Sequence, residues 1–381
     1  MTTTIPTQSH LAREIDQQPA LWRELGQALA GRKAEIDAFL GPVLARPEAR
    51  IVLTGAGTSA YAGQVAAPAL SRALGRRVEA IASTDLVADP RDHLVPDVLT
   101  LLVSFARSGD SPESVAATEL ADQLLGEVRH LVLTCNPDGQ LARTHTGRET
   151  SLVLQMPAAA NDQSFAMTSS FTCMTLAALL TLSRDDDPAA RTSVLAVAAE
   201  GVLAQRSEIE LLAQRRPERV VYLGSGPFTG LARESALKLT ELTAGEVVVL
   251  GESSLGFRHG PKAVLTPGTL ALVYLSGDPY TRRYDLDIVV ELAAQQPAGQ
   301  VLAIDGAAEG TEPRLRDGIP VLRVPGVDDQ PDAYRALPAV LVAQVFGLTT
   351  SLLLGHAPDN PFPTGEVNRV VQGVTVHPLD A

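Results

Sequence analysis

The sequence predicts an α/β protein made of two copies of one domain, each a mainly five-stranded parallel sheet covered by helices on both faces. The first observation is that three segments repeat in the same order, at separations of 167 to 169 residues. RIVLTGAG at 50–57 recurs as RVVYLGSG at 219–226, LVSFARSGD ending at Asp110 recurs as LVYLSGD ending at Asp278, and LVLQMPAAANDQ ending at Gln163 recurs as VLRVPGVDDQ ending at Gln330. Three ordered matches indicate a tandem duplication.

The second observation is the alternation of short β-branched runs with longer helical stretches, which is typical of a parallel sheet in a three-layer αβα domain. In the first copy the predicted strands are 50–54, 78–82, 98–104, 130–134 and 152–155. On this basis the chain divides into a helical lead-in over 1–40, a first domain over 41–205 and a second domain over 206–381. A chain of 381 residues is long enough for two hydrophobic cores.

Composition and charge exclude several classes of function. Asp and Glu number 44 against 31 Lys and Arg, which gives a net charge of −13. Because the sequence has no basic block that could follow a phosphodiester backbone, we expect no nucleic-acid partner. The N-terminus lacks a basic start with an apolar run, and the longest apolar stretches are interrupted by Thr, Gln and Gly, so we expect no membrane segment and a cytoplasmic protein. Two cysteines are too few for a disulfide framework or a cysteine metal site.

A loop rich in serine follows the third predicted strand, in the segment VSFARSGDSPES at 103–114. Its candidate ligand-binding residues are Ser104, Arg107, Ser108 and Ser111. One interpretation is that the serines only cap the helix that begins near Pro112. The other is that the helix N-terminus, the hydroxyl groups and the guanidinium together bind a phosphate monoester. The loop alone leaves both interpretations open.

The segment TGAGTSAYAG at 54–63 raises a third interpretation, because Gly55, Gly57 and Ala60 fit the dinucleotide-binding fingerprint. A dinucleotide site needs an acidic residue at the end of the next strand to bind the ribose. Here Asp85 comes a few residues too late, which argues against nicotinamide chemistry.

Three charged residues in RESALKLTELTAGEVVVLGESSLGFRHGP at 233–261 have helical spacing. Glu234, Lys238 and Glu241 lie at i, i+4 and i+7 and therefore share one helix face. A solvated stripe of ion pairs would have the same spacing. The polar residues that follow, with His259 among them, favour a functional site instead.

The segments TGAGTS, SFARSGDSPES, ESALKLTEL, FRHGPKA and DNPFPTGEVNRVVQGVTVHP together resemble proteins with two tandem sugar isomerase (SIS) domains. The similarity covers roughly residues 30 to 381. It is strongest to the branch of tagatose-6-phosphate ketose/aldose isomerases, also described as galactosamine-6-phosphate deaminases, which is related to the isomerase half of glucosamine-6-phosphate synthase. The family has the duplicated fold that the repeats predict.

The resemblance implies a role for each matching position. It makes Glu241 the general base, places Glu234 and Lys238 beside it, and implies that His259 acts from the partner subunit of a homodimer. The implied sugar-phosphate site comprises Gly57, Thr58, Ser59, Ser104, Arg107, Ser108, Ser111, Thr168, Ser169 and Gln372.

The implied reaction converts an amino-hexose 6-phosphate, with galactosamine 6-phosphate favoured, to a ketose 6-phosphate with release of ammonia. It needs neither a metal nor an organic cofactor. Plain ketose/aldose isomerisation, a sugar-phosphate sensor and a purely structural dimer remain alternatives. One departure is that Gln372 stands where the synthase relatives have a lysine that contacts the open-chain sugar, and the chain has only two lysines besides Lys238.

Overall fold

The computed structural model describes residues 9–315, 318–371 and 373–380, and it confirms the α/β fold with two parallel five-stranded sheets. The strands of the first sheet are β1 (Arg50–Thr54), β2 (Val78–Ala80), β3 (Thr100–Ala106), β4 (Val128–Thr134) and β5 (Ser151–Gln155). Those of the second are β6 (Arg219–Leu223), β7 (Val248–Glu252), β8 (Thr269–Leu275), β9 (Val301–Asp305) and β10 (Val321–Arg323). Each strand predicted in the first copy is present, with its ends moved by at most two residues.

Helices cover both sheets. Those of the N-terminal half are α1 (His10–Asp16), α2 (Gln18–Gly31), α3 (Lys33–Leu44), α4 (Thr58–Leu74), α5 (Ser83–Ala88), α6 (Pro90–His93), α7 (Pro112–Leu124), α8 (Gln140–His145) and α9 (Ser169–Leu182). They are followed by α10 (Pro188–Leu203), α11 (Arg206–Ala213), α12 (Pro227–Leu242), α13 (Thr281–Gln295) and α14 (Asp332–Leu354). Short 3₁₀ segments lie at Ala158–Ala160, Gly256–Arg258, Pro261–Val264 and Pro313–Leu315.

The two sheets have the same strand order, β2-β1-β3-β4-β5 and β7-β6-β8-β9-β10, with every neighbouring pair parallel. The turn after the first strand is also repeated. Gly57 has φ 56° and ψ −125°, and Gly226 has φ 58° and ψ −126°, a conformation that favours glycine. The structure therefore confirms the duplication down to one backbone turn.

The hydrophobic core explains the long apolar runs of the sequence. All seven residues of β3 and of β8 are buried, as expected for central strands of a sheet covered on both faces. By length and composition α14 could span a membrane, with a mean hydropathy of 1.9, but 83% of its apolar window is buried within the protein. Its one amide, Gln344, accepts a hydrogen bond from Gln18 at 2.7 Å. The helix therefore packs as a core helix.

The predicted lead-in is an integral part of the core. Helix α2 packs against α9 and α10, and α1 packs against α14, so the N-terminal helices contact elements of both halves of the chain. Trp22 is fully buried and its Nε1 donates to Thr172 Oγ1 at 3.0 Å. The division at residues 40 and 205 remains a prediction.

The two halves meet where α4 packs against α12, the helices that follow the first strand of each sheet. Gly230 permits this close approach. A Cβ atom at Gly230 would lie 2.8 Å from the backbone nitrogen of Val65 and 2.9 Å from the carbonyl carbon of Gln64. Both neighbours are backbone atoms and cannot move without shifting α4.

We predict that Gly230→Ala lowers the free energy of unfolding by about 1–3 kcal/mol, because the added methyl group forces the two helices apart. Urea denaturation measures the effect. Gly31→Ala is the matched control, since a Cβ at Gly31 has no atom within 4 Å. Equal stability of the two variants would contradict the proposed close packing.

A buried pair of histidines joins strand β4, which contains His130, to helix α8, which ends at His145. His130 Nε2 is 2.8 Å from Asp122 Oδ1, His145 Nδ1 is 2.9 Å from Ser151 Oγ, and the two ring centroids are 4.6 Å apart. Burial lowers the pKa of His130. Burial, helped by the charges of His130 and Arg148, lowers the pKa of His145 to about 4. The fold therefore favours the neutral form of both rings.

We predict that the protein loses stability as the pH falls from about 6.5, the usual histidine pKa in an unfolded chain, towards 4. Stability falls with falling pH because the histidines of the unfolded chain bind protons more tightly than those of the folded protein over this range. Each excess proton steepens the loss by about 1.4 kcal/mol per pH unit. Urea denaturation at several pH values should give a shallower slope for His145→Gln than for the control His377→Gln, whose side chain is exposed. Identical slopes would contradict the prediction.

Candidate active site

The candidate site lies at the carboxyl ends of β1 and β3. The chain leaves β1 towards β2 on one side and returns to β3 on the other, so the two strand ends flank the crevice where open α/β sheets bind ligands. Gly57, Thr58 and Ser59 begin α4 after β1, and the serine loop follows β3. Helix α12 contributes the acidic residues from the second half of the chain.

The serine loop is held in place by the segment that follows β4. Gly109 has φ +72° and packs closely against Gly139. A Cβ atom at Gly109 would lie 3.3 Å from the Cα atom of Gly139. Asn136 Nδ2 donates to the carbonyl oxygen of Ser108 at 2.8 Å. Ser111 is the N-cap residue of α7, but its side chain makes no capping hydrogen bond. Simple helix capping therefore does not explain the hydroxyl group of Ser111.

Several buried polar atoms near the two strand ends have no hydrogen-bond partner among the described residues. They are Thr54 Oγ1 at the end of β1, Ser104 Oγ on β3, Ser83 Oγ at the start of α5, and Glu234 Oε2 on α12. Thr54 and Ser104 are directly paired across the two strands. Because buried polar groups are nearly always hydrogen-bonded in native proteins, this cluster indicates a place for polar ligand atoms or water.

The stripe of charges on α12 is buried, and the solvated interpretation is excluded. The side chains of Glu234 and Lys238 are 0% and 1% exposed, whereas that of Glu241 is 22% exposed. Lys238 Nζ donates to Glu241 Oε2 at 2.5 Å and lies 3.7 Å from Glu234 Oε1. Thr58 Oγ1 donates to Glu234 Oε1 at 3.3 Å, so the start of α4 is joined to the acidic face of α12. Glu241 is the member of the stripe that solvent reaches.

The two carboxyl groups differ in their electrostatic surroundings. Burial raises the pKa of Glu234 to about 8, with Glu241 adding to the effect and Lys238 opposing it. Burial alone would lower the pKa of Lys238, but Glu234 and Glu241 more than offset this and raise it. Although Glu234 and Lys238 are close enough for an ion pair, the shorter contact makes Glu241 the main counter-ion of Lys238. Glu234 therefore keeps its proton to a higher pH than an exposed glutamate does.

Arg107 is buried and makes contacts that were not predicted. Its Nη1 donates to the carbonyl oxygen of Phe165 at 3.3 Å, and its Nη2 donates to that of Arg369 at 2.6 Å. Burial, together with the nearby charge of Arg369, lowers the pKa of Arg107. Arg107 thus fastens the C-terminal tail to the serine loop, and Arg369 in turn donates to the carbonyl oxygens of Ser164 and Asp162.

Thr168 and Ser169 are buried and have partners within the protein. The carboxylate of Asp162 accepts hydrogen bonds from the backbone N–H groups of Thr168, Ser169 and Ser170 at the start of α9. Thr168 Oγ1 lies 3.3 Å from the same carboxylate, and Ser169 Oγ donates to the carbonyl oxygen of Glu14 at 2.7 Å. These contacts give both residues a structural role in holding the loop, and their predicted contact with substrate stays a prediction.

The remaining predicted residues lie apart from this cluster. His259 is exposed at the end of the 3₁₀ segment Gly256–Arg258. Gln372 lies outside the described residues, although the tail on either side of it crosses the first domain: Arg369 lies near Arg107, and the carbonyl oxygen of Leu379 accepts from Gln123 on α7. Asp85 lies inside α5 rather than at the end of β2, which removes the basis for a dinucleotide site.

Sequence reasoning missed Tyr61, Asp162 and Arg369. Tyr61 lies on α4 one turn after Thr58, and its pKa is raised by burial and by the nearby charge of Glu234. The spacing from Thr58 could have identified it, since residues three apart share a helix face. Asp162 and Arg369 act through tertiary contacts for which the local sequence gives no signal.

Comparisons with known proteins identify the family and the fold of this chain. The family model described as SIS domain matches residues 44–184. A Streptomyces coelicolor protein, provisionally named D-galactosamine-6-phosphate deaminase AgaS, is 59% identical over 97% of this chain and 96% of its own length. The D-galactosamine-6-phosphate deaminase AgaS of Shewanella sp. is 43% identical over 97% and 92%. The crystal structure of tagatose-6-phosphate ketose/aldose isomerase from Escherichia coli superposes with a TM-score of 0.90 at 38% identity and covers both chains completely.

Fold, site and relatives define a phosphosugar enzyme of the isomerase and deaminase class, built from two tandem SIS domains. Within this class the chain belongs to the SIS domain family, in the group whose members carry the name D-galactosamine-6-phosphate deaminase AgaS.

We predict that Ser111→Ala weakens the binding of inorganic phosphate and of sugar phosphates by about 10- to 100-fold, as expected for the loss of one hydrogen bond to a charged group. The free energy of unfolding should stay within about 0.5 kcal/mol, because the Ser111 hydroxyl caps nothing. Asp187→Ala is the matched control, since the Asp187 side chain does cap α10 by accepting from the Ala190 N–H. It should lose about 1 kcal/mol of stability and no phosphate affinity. A loss of stability in Ser111→Ala without a loss of phosphate affinity would instead show that Ser111 only caps the helix.

Proposed function

We propose that the protein converts an amino-hexose 6-phosphate, galactosamine 6-phosphate in preference to others, to the corresponding ketose 6-phosphate and ammonia. The observation that carries the proposal is the position of Glu241. It is a partly exposed carboxylate held by a buried lysine, on a helix that contacts the start of α4 beside the serine loop. The named activity of the Shewanella relative, 43% identical over 97% of this chain, supports the same reaction.

The serine loop supplies the phosphate site in this proposal. Ser108 and Ser111, with the N–H groups at the start of α7, form hydrogen bonds to the phosphate oxygens. Arg107 holds the C-terminal tail over the loop, because its guanidinium donates to the carbonyl oxygens of Phe165 and Arg369. Phosphate binding at a point remote from the reacting carbons fixes the open-chain sugar against α12 and lowers the entropic part of the barrier.

Glu241 then performs the proton transfers. It removes the proton from C2 of the open-chain amino aldose and returns it to C1, while O1 gains a proton and the amino nitrogen loses one, which leaves a C1 hydroxyl group and an imine at C2. One water molecule hydrolyses this imine, so the C2–N bond breaks, ammonia leaves and the ketone forms. Lys238 orients Glu241 through the 2.5 Å hydrogen bond. Glu234 lies farther from Lys238, at 3.7 Å, and burial raises its pKa to about 8.

The lysines of the chain support loss of ammonia over transfer of ammonia. Lys238 is buried between two carboxyl groups, Lys33 is paired with Asp37 at 3.2 Å, and Lys262 is paired with Glu291. An amine that is protonated in an ion pair is a poor nucleophile towards a sugar carbonyl. None of the three lysines is therefore free to form a Schiff base with the sugar, as in the synthase relatives. The nitrogen of the imine comes from the substrate itself.

We further propose that the enzyme is a cytoplasmic homodimer whose site is completed across the subunit interface. His259 is exposed close to the edge strand β7 of the second sheet. Two large apolar side chains of the same region, Val248 and Leu255, are 50% and 46% exposed. An exposed histidine beside exposed apolar residues fits a surface that a second copy covers, with His259 entering the partner's site to assist ring opening.

The test is the release of ammonia from galactosamine 6-phosphate, with glucosamine 6-phosphate and tagatose 6-phosphate assayed beside it. Ammonia from the first compound supports the proposal. Aldose formation from tagatose 6-phosphate without ammonia from either amino sugar would instead select plain ketose/aldose isomerisation, the activity named for the Escherichia coli structure at 38% identity. Binding of a sugar phosphate without turnover would indicate a sugar-phosphate sensor instead of an enzyme.

We predict that Glu241→Gln abolishes turnover and leaves the dissociation constant for the sugar phosphate within about threefold, because the amide keeps the shape of the side chain but cannot take up the C2 proton. Steady-state kinetics and calorimetric titration measure the two quantities. Glu246→Gln is the matched control, since the Glu246 side chain is 57% exposed and lies outside the stripe. Undiminished turnover in Glu241→Gln would remove the assignment of the base.

A further inference from the structure

Tyr61 lies on the face of α4 that packs against α12. It comes three residues after Thr58 and three before Gln64, so the three side chains share one helix face. Thr58 Oγ1 donates to Glu234 Oε1 at 3.3 Å. One turn on the other side of Tyr61, Gln64 Oε1 accepts from Arg233 Nη1 at 3.1 Å. The side chain of Tyr61 therefore lies between two contacts that join α4 to α12.

The electrostatic surroundings of Tyr61 agree with this position. Its pKa is raised, first by burial and then by the negative charge of Glu234, with Glu241 adding to the effect. The positive charges of Arg233 and Lys238 oppose the rise. All four charged residues of α12 thus act on this one hydroxyl group. Because a phenol with a raised pKa keeps its proton at neutral pH, the Tyr61 hydroxyl group is a hydrogen-bond donor.

This donor has no partner in the part of the chain that the structure describes. The Tyr61 hydroxyl group forms no hydrogen bond with Glu234 or Glu241, and it is not among the polar atoms that the fold closes off from solvent. The residue as a whole is partly exposed. The hydroxyl group is therefore open to a ligand that reaches the acidic face of α12.

The proposed function holds the sugar at its two ends. The phosphate binds the serine loop after β3, and C2 lies at Glu241 on α12. The first turns of α4 lie between these two places, because β1 is the neighbour of β3 in the sheet and α4 packs against α12. The middle of the open chain therefore passes the turns that carry Thr58 and Tyr61. The carbon midway between C2 and C6 is C4.

We propose that Tyr61 recognises the configuration at C4 of the sugar. Its hydroxyl group donates to the C4 oxygen of an open chain with the galactose configuration, and this hydrogen bond is lost when C4 has the glucose configuration. The inference rests on the proposed function, from which it takes the positions of the phosphate and of C2. Loss of one hydrogen bond between neutral groups corresponds to about 3- to 10-fold in affinity.

The test uses the two hexitol 6-phosphates that reduction of galactose 6-phosphate and of glucose 6-phosphate gives. Both are open-chain compounds without a carbonyl group, so they bind without reacting, and they differ only at C4. Calorimetric titration of the wild-type full chain should give a dissociation constant about 3- to 10-fold lower for the galactose-derived compound. In Tyr61→Phe this preference should fall below about twofold, because only the galactose-derived compound loses a hydrogen bond.

Tyr280→Phe is the matched control and should keep the wild-type preference. Tyr280 is 65% exposed and precedes α13 in the second half of the chain. Urea denaturation of both variants checks that they fold as the wild type does. An unchanged preference in Tyr61→Phe, an equal loss of affinity for both hexitol phosphates, or a wild-type protein without a preference would each overturn the proposal.

Ammonia release from galactosamine 6-phosphate is measured in parallel on the wild-type protein. A preference that depends on Tyr61 without ammonia release would overturn the deaminase reaction and keep the recognition of C4. Ammonia release without such a preference would overturn the role of Tyr61 and keep the reaction. The two failures are therefore distinguishable.

Discussion

The close contact between α4 and α12 is the constraint on which the rest of the structure depends. These helices follow the first strands of the two sheets, and Gly230 brings their backbones within contact distance. Only in this arrangement can Thr58, at the start of α4, reach Glu234 on α12. The proposed site therefore takes its serine loop from one copy of the domain and its acidic residues from the other, and neither copy contains both.

The two copies have diverged at the same structural position, and their divergence explains this division of labour. In the first copy the Ser-Gly-Asp loop of 108–110 is followed by Ser111, whose hydroxyl caps nothing. In the second copy Asp332 accepts from the corresponding loop of 276–278, and Asp285 accepts from Ser225, Ser254 and the backbone of Ser276. Two internal carboxylates thus accept from the loops of the second copy at the position where the first copy has its serine loop.

Local patterns in the sequence predicted the features that neighbouring residues determine, namely strands, helices and turns. The strand positions and the duplication follow from β-branched runs and repeated segments, and the helical spacing of Glu234, Lys238 and Glu241 placed them on one face. What the sequence could not show are partners brought together by tertiary folding. Asp162 folds back onto the start of α9, and Arg107 finds its acceptor at Arg369 in the distant tail. The contact of Asp162 changes the role that we give to Thr168 and Ser169. The sequence cannot reveal that this carboxylate already accepts hydrogen bonds from their backbone N–H groups.

Burial separates the functions of two carboxyl groups that the sequence presents as equivalent. If Glu234 and Glu241 were both ionised, the single charge of Lys238 would leave a net negative charge where water is excluded, which is costly. Burial raises the pKa of Glu234 to about 8, which reduces this cost because Glu234 keeps its proton to a higher pH than an exposed carboxyl group does. Lys238 makes its shorter contact with Glu241, which lies at the solvent-reachable end of the stripe. Pairs of acids whose environments differ in this way are how proteins assign one group to proton abstraction and keep the other uncharged. The buried helix face therefore distinguishes Glu241, which solvent reaches, from Glu234, which it does not, and this difference supports the base that we propose.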